Sequence, residues 1–206
     1  MEILIQPNKI EEVILYILEK LNRDLGSIEL AKYLYLVDIE SMRFTGESIT
    51  RQTYLRAQQG PLAKDFKDST THMDGHELEI EIISNINNSG KEKHVHKLGK
   101  KPRFTPNLNL IETAIINRVL GRNFNKTIGQ LKKIAYKTKP WEAVKKYEKD
   151  NGEIYKGAID LCDEKKIQAD IEWEDNIQKK PQFEQEYKDY LEEESKEFDK
   201  LIASIA

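Results

Sequence analysis

Cysteine is nearly absent from the sequence, and long apolar runs are missing altogether. The single cysteine, Cys162, cannot form an internal disulfide, a pattern expected in a reducing compartment. It lies in the apolar segment AIDLC, so we expect a buried small side chain there rather than a catalytic nucleophile. No run approaches the roughly 18 apolar residues that a membrane span needs, and the chain does not begin with a basic segment followed by an apolar one. We therefore expect a cytoplasmic protein with no membrane partner.

Familiar catalytic motifs are also missing. The sequence contains no P-loop, GxGxxG, GxSxG or HExxH pattern. The glutamates of ELEIEII (77–83) alternate with apolar residues and are expected on the wet face of a strand. Asp38 differs because it lies in the apolar segment LYLVDIE, where we expect it to bond to a neighbouring turn or to pair with Arg43 or Arg51. No partner base accompanies Asp38, so we predict that the chain is not an enzyme and needs no cofactor.

The histidines are the candidates for a metal site. All four fall within 25 residues, at His72, His76, His94 and His96. A spacing of four could place the first pair on one helix face, and a spacing of two could place the second pair on one sheet face. Three or four such nitrogens could hold zinc, which leaves a metal-dependent enzyme as one alternative function. The Asp-Gly pair between the first two favours a turn over a helix, so we predict no metal site and interpret them as surface histidines beside a hairpin.

Charge is distributed unevenly along the chain. Residues 163–206 carry 14 acidic and 7 basic side chains, whereas residues 1–162 carry 22 acidic and 26 basic ones. A body of net charge +4 therefore precedes an acidic tail of net charge −7. No zinc finger, RNP motif or helix rich in Arg, Asn and Gln indicates nucleic-acid recognition, so we do not expect nucleic acid as a partner. The basic body nevertheless leaves a nucleic-acid-binding transcriptional regulator as another alternative function.

Apolar periodicity predicts a mainly α protein of the α+β class. Six or seven helices are expected around one core, with a small antiparallel hairpin formed by residues 77–83 and HVHKL (94–98). Two helices are predicted to begin with capping boxes, one formed by Asn8 and Glu11 and the other by Thr127 and Gln130. A further helix is predicted to begin with Ser27 as its N-cap, another to begin near Pro140, and another to end at Gly121.

Two prolines are predicted to begin helices. Pro140 precedes WEAVKKYEKD, and Pro61 precedes a second amphipathic run. Gly60 would let the backbone turn away from the preceding arm, ITRQTYLRA, which could be a short strand or irregular. Trp141 is expected in the core. Gly60, Pro61 and Trp141 are accordingly predicted to be architectural, so that their mutation lowers stability first.

The tail is predicted to be a separate unit. Aromatic and apolar residues recur at roughly helical spacing in it, at Phe183, Tyr187, Tyr190 or Leu191, Phe198 and Leu201. This pattern predicts an acidic amphipathic helix that extends the compact domain at its C-terminus. We place the domain boundary between a body of residues 1–162 and a tail of residues 163–206. Because the tail could pair with another copy, self-association is left open.

Short motifs in a shared order resemble a known family. The segment LAKYLYLVDIESMRFTGESITRQTYLRAQQGPLAKDF resembles the opening signature of the Panacea domain, also called SocA-like or phage GepA-like, and TIGQLKKIAYKTKPWEAVKKY resembles its closing signature. The matching positions are Lys32, Leu34, Tyr35, Asp38, Gly46, Ile49, Tyr54, Ala57, Gly60, Pro61, Leu131, Pro140 and Trp141. Tyr136 stands where many members have histidine. The resemblance covers about residues 8–162.

The resemblance implies binding rather than catalysis. Members are antitoxins of bacterial and prophage toxin–antitoxin pairs that neutralise protein toxins, including alarmone-synthetase-like enzymes that modify tRNA. One member resembles an adaptor that delivers its toxin to the ClpXP protease. The resemblance therefore implies a cognate toxin, encoded next to this chain, as the partner. The candidate contact residues are Tyr54, Arg56 and Gln58 in the arm and Tyr187 and Tyr190 in the tail.

Overall fold

A computed structural model describes residues 7–84 and 92–164 of the chain. Within these residues it contains six α-helices, six short strands and a 3₁₀ turn, which confirms the predicted mainly α fold with small antiparallel sheets. The elements are α1 Lys9–Leu21, β1 Leu25–Gly26, α2 Ser27–Thr45, β2 Tyr54–Ala57, β3 Gly60–Ala63, α3 Phe66–Met73, β4 Leu78–Ser84, β5 Glu92–Leu98, α4 Leu110–Asn123, α5 Ile128–Ala135, α6 Lys139–Asn151, β6 Ala158–Ile159 and the 3₁₀ turn Leu161–Glu164.

Local capping explains where several helices begin. The side chains of Asn8 and Thr127 each accept a hydrogen bond from the backbone N–H of the third helical residue. In turn, the side chains of Glu11 and Gln130 accept one from the backbone N–H of Asn8 and Thr127, so that both predicted capping boxes are present. Asn109 and Glu112 form a third capping box at the start of α4, which the sequence interpretation missed. Pro140 lies in the first turn of α6, where its missing N–H has no intrahelical partner to lose. Helix α4 runs through Gly121 to Asn123, two residues beyond the predicted end.

Helix α2 occupies the centre of the core. Fourteen of its residues, Glu29–Met42, are buried without interruption. A helix buried on all sides must be apolar on most of its surface, and Leu34, Val37 and Ile39 supply that surface. Helices α1, α4 and α5 and strand β3 pack around α2, so its polar side chains can reach elements that are distant in sequence.

Strands β2 and β3 form a hairpin, which corrects the prediction for Gly60 and Pro61. The pair does not begin a helix: Ala57 is paired with Gly60 and Arg56 with Pro61, and the next helix begins at Phe66. Gly60 adopts a φ of 102°, which suits the turn after Gln58 and Gln59. Strand β3 lies at one end of the order β3-β2-β6, and an edge strand tolerates a proline.

The second sheet has the order β1-β5-β4. Its β4–β5 ladder pairs Leu78 with Leu98 and Ile80 with His96, which confirms the two predicted antiparallel strands. Glu79 and Glu81 are exposed, as expected of a wet face. Glu77 is the exception, because it is fully buried and its carboxylate accepts from the Arg103 guanidinium at 2.8 Å.

Three further predictions meet different outcomes. Cys162 is exposed rather than buried, because the chain turns at Leu161–Glu164 and it is Leu161 that enters the core there. None of the helices among residues 7–84 and 92–164 combines the length and apolarity needed to cross a bilayer. The predicted tail helix, with Tyr187 and Tyr190, lies outside the described residues, and the boundary at residue 162 stays a prediction.

Candidate interaction site

Three polar residues lie along one side of α2. Lys32, Tyr35 and Asp38 are three residues apart, a spacing that places them on adjoining turns of one helix face. All three are buried. Each bonds to a segment that comes much later in the chain, so this row connects α2 to the hairpin and to the α5–α6 junction.

Asp38 is the acceptor at the centre of a buried hydrogen-bond cluster. Its carboxylate accepts from the Thr50 backbone N–H at 2.9 Å, from the Thr50 hydroxyl, and from the Tyr54 hydroxyl at 2.8 Å. Burial raises the pKa of Asp38 to about 6, although these hydrogen bonds act in the opposite direction. Asp38 therefore bonds to residues 12 and 16 positions further along the chain rather than to a neighbouring turn, and Arg43 pairs with Glu40.

Asp38 makes stability depend on pH in a defined direction. Between pH 4 and 6.5 the folded state retains a proton on Asp38 that the unfolded state has released, because the folded pKa of about 6 exceeds the ordinary value of 3.8. The folded state binds more protons in this window, so the free energy of unfolding falls as pH rises, by about 2–3 kcal/mol. We expect urea unfolding of the wild type to show this fall relative to Asp38→Asn, which does not titrate. Parallel pH profiles for the two proteins would contradict it.

Tyr35 connects α2 to the start of α6. Its hydroxyl lies 2.7 Å from the Thr138 Oγ1, which itself donates to the Ala135 carbonyl at 2.8 Å. The Tyr35 ring also meets the Tyr54 ring edge to face, with centroids 5.2 Å apart. The two tyrosines thereby join the closing signature, the hairpin and the Asp38 cluster into one packed unit.

Lys32 of α2 forms a hydrogen bond to the β2–β3 hairpin. Its ammonium donates to the Pro61 carbonyl at 2.8 Å while the side chain is almost fully buried. Burial, together with the nearby charge of Lys132, lowers the pKa of Lys32 to about 8. A buried ammonium needs acceptors, and the edge strand β3 provides the carbonyl that Lys32 uses.

Gly60 is pressed against an aromatic pair. The Tyr136 and Trp141 rings stack with centroids 5.3 Å apart, and Trp141 is buried as predicted. A Cβ added at Gly60 would come within 2.5 Å of the Tyr136 Cε1 and 3.2 Å of the Lys32 Nζ. The signature residues Lys32, Gly60 and Trp141 therefore meet around Tyr136, which occupies the position where many members have histidine.

The outer side of the hairpin is presented to solvent. Gln58 is exposed at the turn, and Arg56 is half-buried with its Nε 2.8 Å from the Glu148 carboxylate of α6. Gln59 accepts from the Lys132 ammonium of α5, so the turn is fixed from both sides. Tyr54, in contrast, is fully buried in the Asp38 cluster. Its side chain belongs to the core, and Arg56 and Gln58 remain the predicted contact residues of this arm.

An apolar groove of about 260 Å³ lies between the hairpin turn and the N-terminal half of α2. The residues that line it are Ser27, Ile28, Ala31, Lys32, Ala57, Gln58, Gln59, Gly60, Leu62 and Phe66. Because Lys32, Gln59 and Gly60 are held by the contacts just described, the groove is preformed. It is suited to an apolar side chain of a protein partner, with Gln58 at its rim.

The four histidines do not converge. His72 bonds to the Glu11 carboxylate through Nδ1 at 2.8 Å, and the buried His96 lies 3.3 Å from the Leu25 carbonyl. His76 is exposed in the turn around Gly75, and His94 is exposed on β5. In the described part of the chain, no group of three or more His, Cys, Asp or Glu side chains is arranged to hold a metal ion.

Thr50 and Thr138 were missed by sequence reasoning. Thr50 meets Asp38 across 12 residues and Thr138 meets Tyr35 across 103, so no local pattern could indicate either contact. The stacking of Tyr136 on Trp141 was also missed. The sequence showed Tyr136 only as a departure from the histidine that many family members have at this position.

The fold and the site define a small α+β domain whose buried polar residues position a surface hairpin beside a preformed groove. The family comparison agrees with this class: the model of the antitoxin SocA-like family, Panacea domain, matches residues 30–142, more than half of the chain. The chain belongs to this family, as its signatures predicted. No curated protein and no solved structure matches it.

Proposed function

We propose that the protein is an antitoxin that neutralises a cognate protein toxin by direct binding. Family membership supports the antitoxin role, and the preformed groove beside the exposed hairpin turn is the observation on which the binding mode rests. The toxin would insert an apolar side chain into the groove and contact Gln58 and Arg56 at its rim. A stable complex buries on the order of 1,600 Å², so the hairpin would form part of a larger surface.

Blocking the groove should weaken toxin binding without unfolding the domain. We expect Gln58→Trp to reduce affinity for the toxin encoded next to this chain by at least about tenfold, because the indole would cover the groove opening. Isothermal titration calorimetry with the purified toxin would measure the effect, and thermal unfolding would verify the fold. Lys146→Trp is the matched control, since it adds the same side chain at an exposed position of α6. Equal affinities of the two variants for the toxin would mean that the interface lies outside the groove.

The tail is the second part of the proposed interface. Its acidic, aromatic-containing sequence suits the basic substrate groove of an RNA-modifying toxin, where it would imitate phosphate and accelerate association. Tyr187 and Tyr190 are the proposed contacts. Growth of cells that express the toxin together with the Tyr187→Ala/Tyr190→Ala variant of this chain would test these contacts. A rescue of growth equal to that by the wild-type chain would confine the interface to the body.

Two consequences of the proposal concern the cell. We propose a cytoplasmic protein of bacterial or prophage origin that acts either by covering the toxin's site or by delivering the toxin to the ClpXP protease. The routes differ in one measurable quantity, the half-life of the toxin. A toxin whose half-life is the same with and without the protease is neutralised by binding alone.

A further inference from the structure

Strand β4 lies at one edge of the β1-β5-β4 sheet. Among residues 7–84 and 92–164, β5 is the one strand that pairs with it. The Gly99 N–H donates to the Glu77 carbonyl at 2.8 Å, so the odd-numbered residues of β4 direct their backbone groups toward β5 and the even-numbered ones direct theirs outward. An outward row of N–H and C=O groups on an edge strand is a template for pairing with another chain.

The turn before β4 closes only the beginning of this outer edge. The Gly75 N–H donates to the Leu78 carbonyl at 2.8 Å, and the Ile80 N–H donates to the Asp74 carboxylate at 2.8 Å. The bridge between this turn and the strand ends at Leu78. In the described part of the chain, neither the turn nor another strand pairs with the outer edge beyond the Ile80 N–H.

The open stretch of β4 is complementary to itself. Its outward groups are the Ile80 carbonyl, the N–H and carbonyl of Ile82, and the Ser84 N–H. This order of acceptor, donor with acceptor, and donor matches its own reverse when a second copy runs antiparallel. Ile82 then exchanges both backbone bonds with Ile82 of the second copy, and the Ser84 N–H of each copy donates to the Ile80 carbonyl of the other. A twofold axis at Ile82 therefore pairs these groups in a closed dimer.

The side chains favour the same register. Ile82 is 55% exposed and Ile83 is 41% exposed, and β-branched side chains gain stability when they pack across strands. At the axis the Ile82 side chains of the two copies lie side by side, and Ile83 lies opposite Glu81 of the second copy. Glu81 forms an ion pair with Lys97 at 2.6 Å, which reduces the repulsion between the glutamates of the two copies.

We propose that the chain forms a twofold homodimer through β4, in which two three-stranded sheets become one continuous sheet. The contact is smaller than a standard protein interface, so we expect a dissociation constant on the order of 10 µM. The inference concerns self-association of the body and does not depend on the proposed toxin.

Sedimentation equilibrium of the full-length chain would test this dimer. At about 100 µM and under reducing conditions we expect the wild type to be mainly dimeric, and Ile82→Glu to be monomeric because two carboxylates would meet at the axis. Ile154→Glu is the matched control and should remain dimeric, since Ile154 is 60% exposed between α6 and β6. At about 1 µM, where the wild type is monomeric, Ile82→Glu should keep the wild-type thermal midpoint. A monomeric wild type, or an Ile82→Glu variant that still dimerises through another surface, would overturn the proposal.

Disulfide trapping would test the register. In a Cys162→Ser background, which removes the single native cysteine, Ile82→Cys should form an interchain disulfide because the paired Cα atoms lie about 5.5 Å apart. Ile83→Cys is the control, since the two copies of residue 83 lie on opposite sides of the axis with Cα atoms more than about 7 Å apart. We expect Ile83→Cys to crosslink at least about tenfold more slowly. Equal rates for the two cysteine variants would overturn the proposed pairing.

Discussion

Replacing Asp38 with alanine is expected to lower the free energy of unfolding by about 3–5 kcal/mol, because three buried donors lose their acceptor. The Thr50 N–H, the Thr50 hydroxyl and the Tyr54 hydroxyl all point at the Asp38 carboxylate, and the site is closed to water. Removing the burial cost of the carboxylate offsets part of this loss, which keeps the effect below the sum of three broken bonds. Urea unfolding at pH 7 would measure it.

Tyr54→Phe is the matched control for that experiment. It removes one donor and leaves the ring contact with Tyr35, so we expect a cost of about 1–2 kcal/mol. The double variant should be less destabilised than the sum of the two single variants, since the Tyr54 hydroxyl has no partner left to lose once Asp38 is absent. Additive effects, or an Asp38→Ala cost below 1 kcal/mol, would show that the cluster does not hold the loop and hairpin on α2.

Features encoded within one turn of chain could be predicted from the sequence. The Asn8 and Thr127 capping boxes, the alternation of β4 and the start of α6 at Pro140 each depend on residues a few positions apart. The same local chemistry misled the interpretation of Gly60 and Pro61. A glycine followed by a proline suits a helix start and also suits a hairpin turn with an edge strand. The choice between them depended on Lys32, which bonds to Pro61 29 positions away, and on Tyr136, which contacts Gly60 76 positions away.

The candidate site was harder to predict than the fold for a related reason. The weak periodicity of its arm left surface recognition and core packing equally open for Tyr54, and the hydrogen bond from its hydroxyl to Asp38 places it in the core. Glu77 was expected on a wet strand face, yet Arg103 pairs with it in the interior. In both cases a polar group is buried because a partner distant in sequence satisfies it, and such pairings leave no local pattern.

These contacts separate two kinds of residue in the domain, those of the family signature and those of the exposed hairpin turn. Lys32, Tyr35 and Asp38 bond to backbone or to buried hydroxyl groups, and so they maintain the shape of the domain. Gln58, at the exposed turn, makes no comparable contact with the core. A scaffold held by the first kind of residue can present different residues of the second kind. We therefore expect recognition of a particular toxin to depend on the hairpin turn rather than on the signature itself.

Gly60→Ala is expected to destabilise the protein by about 2–4 kcal/mol, of which only about 1 kcal/mol comes from the backbone conformation. The remainder comes from the new methyl group, which would lie 2.5 Å from the Tyr136 ring. Tyr136 cannot move away freely, because its ring is stacked on the buried Trp141. The hairpin must therefore shift away from α2, which also lengthens the bond between the Lys32 ammonium and the Pro61 carbonyl.

Gly152→Ala isolates the backbone contribution to that cost. Gly152 has a φ of 69°, and a Cβ there would meet nothing within 4 Å, so we expect a loss of only about 1 kcal/mol. Tyr136→Ala supplies the second control, because the clash should disappear when Gly60→Ala is combined with it, and the double variant should lose less stability than the two single variants together. Urea unfolding of the four proteins would measure this coupling. Equal costs for Gly60→Ala and Gly152→Ala would mean that the hairpin is not packed against the aromatic pair.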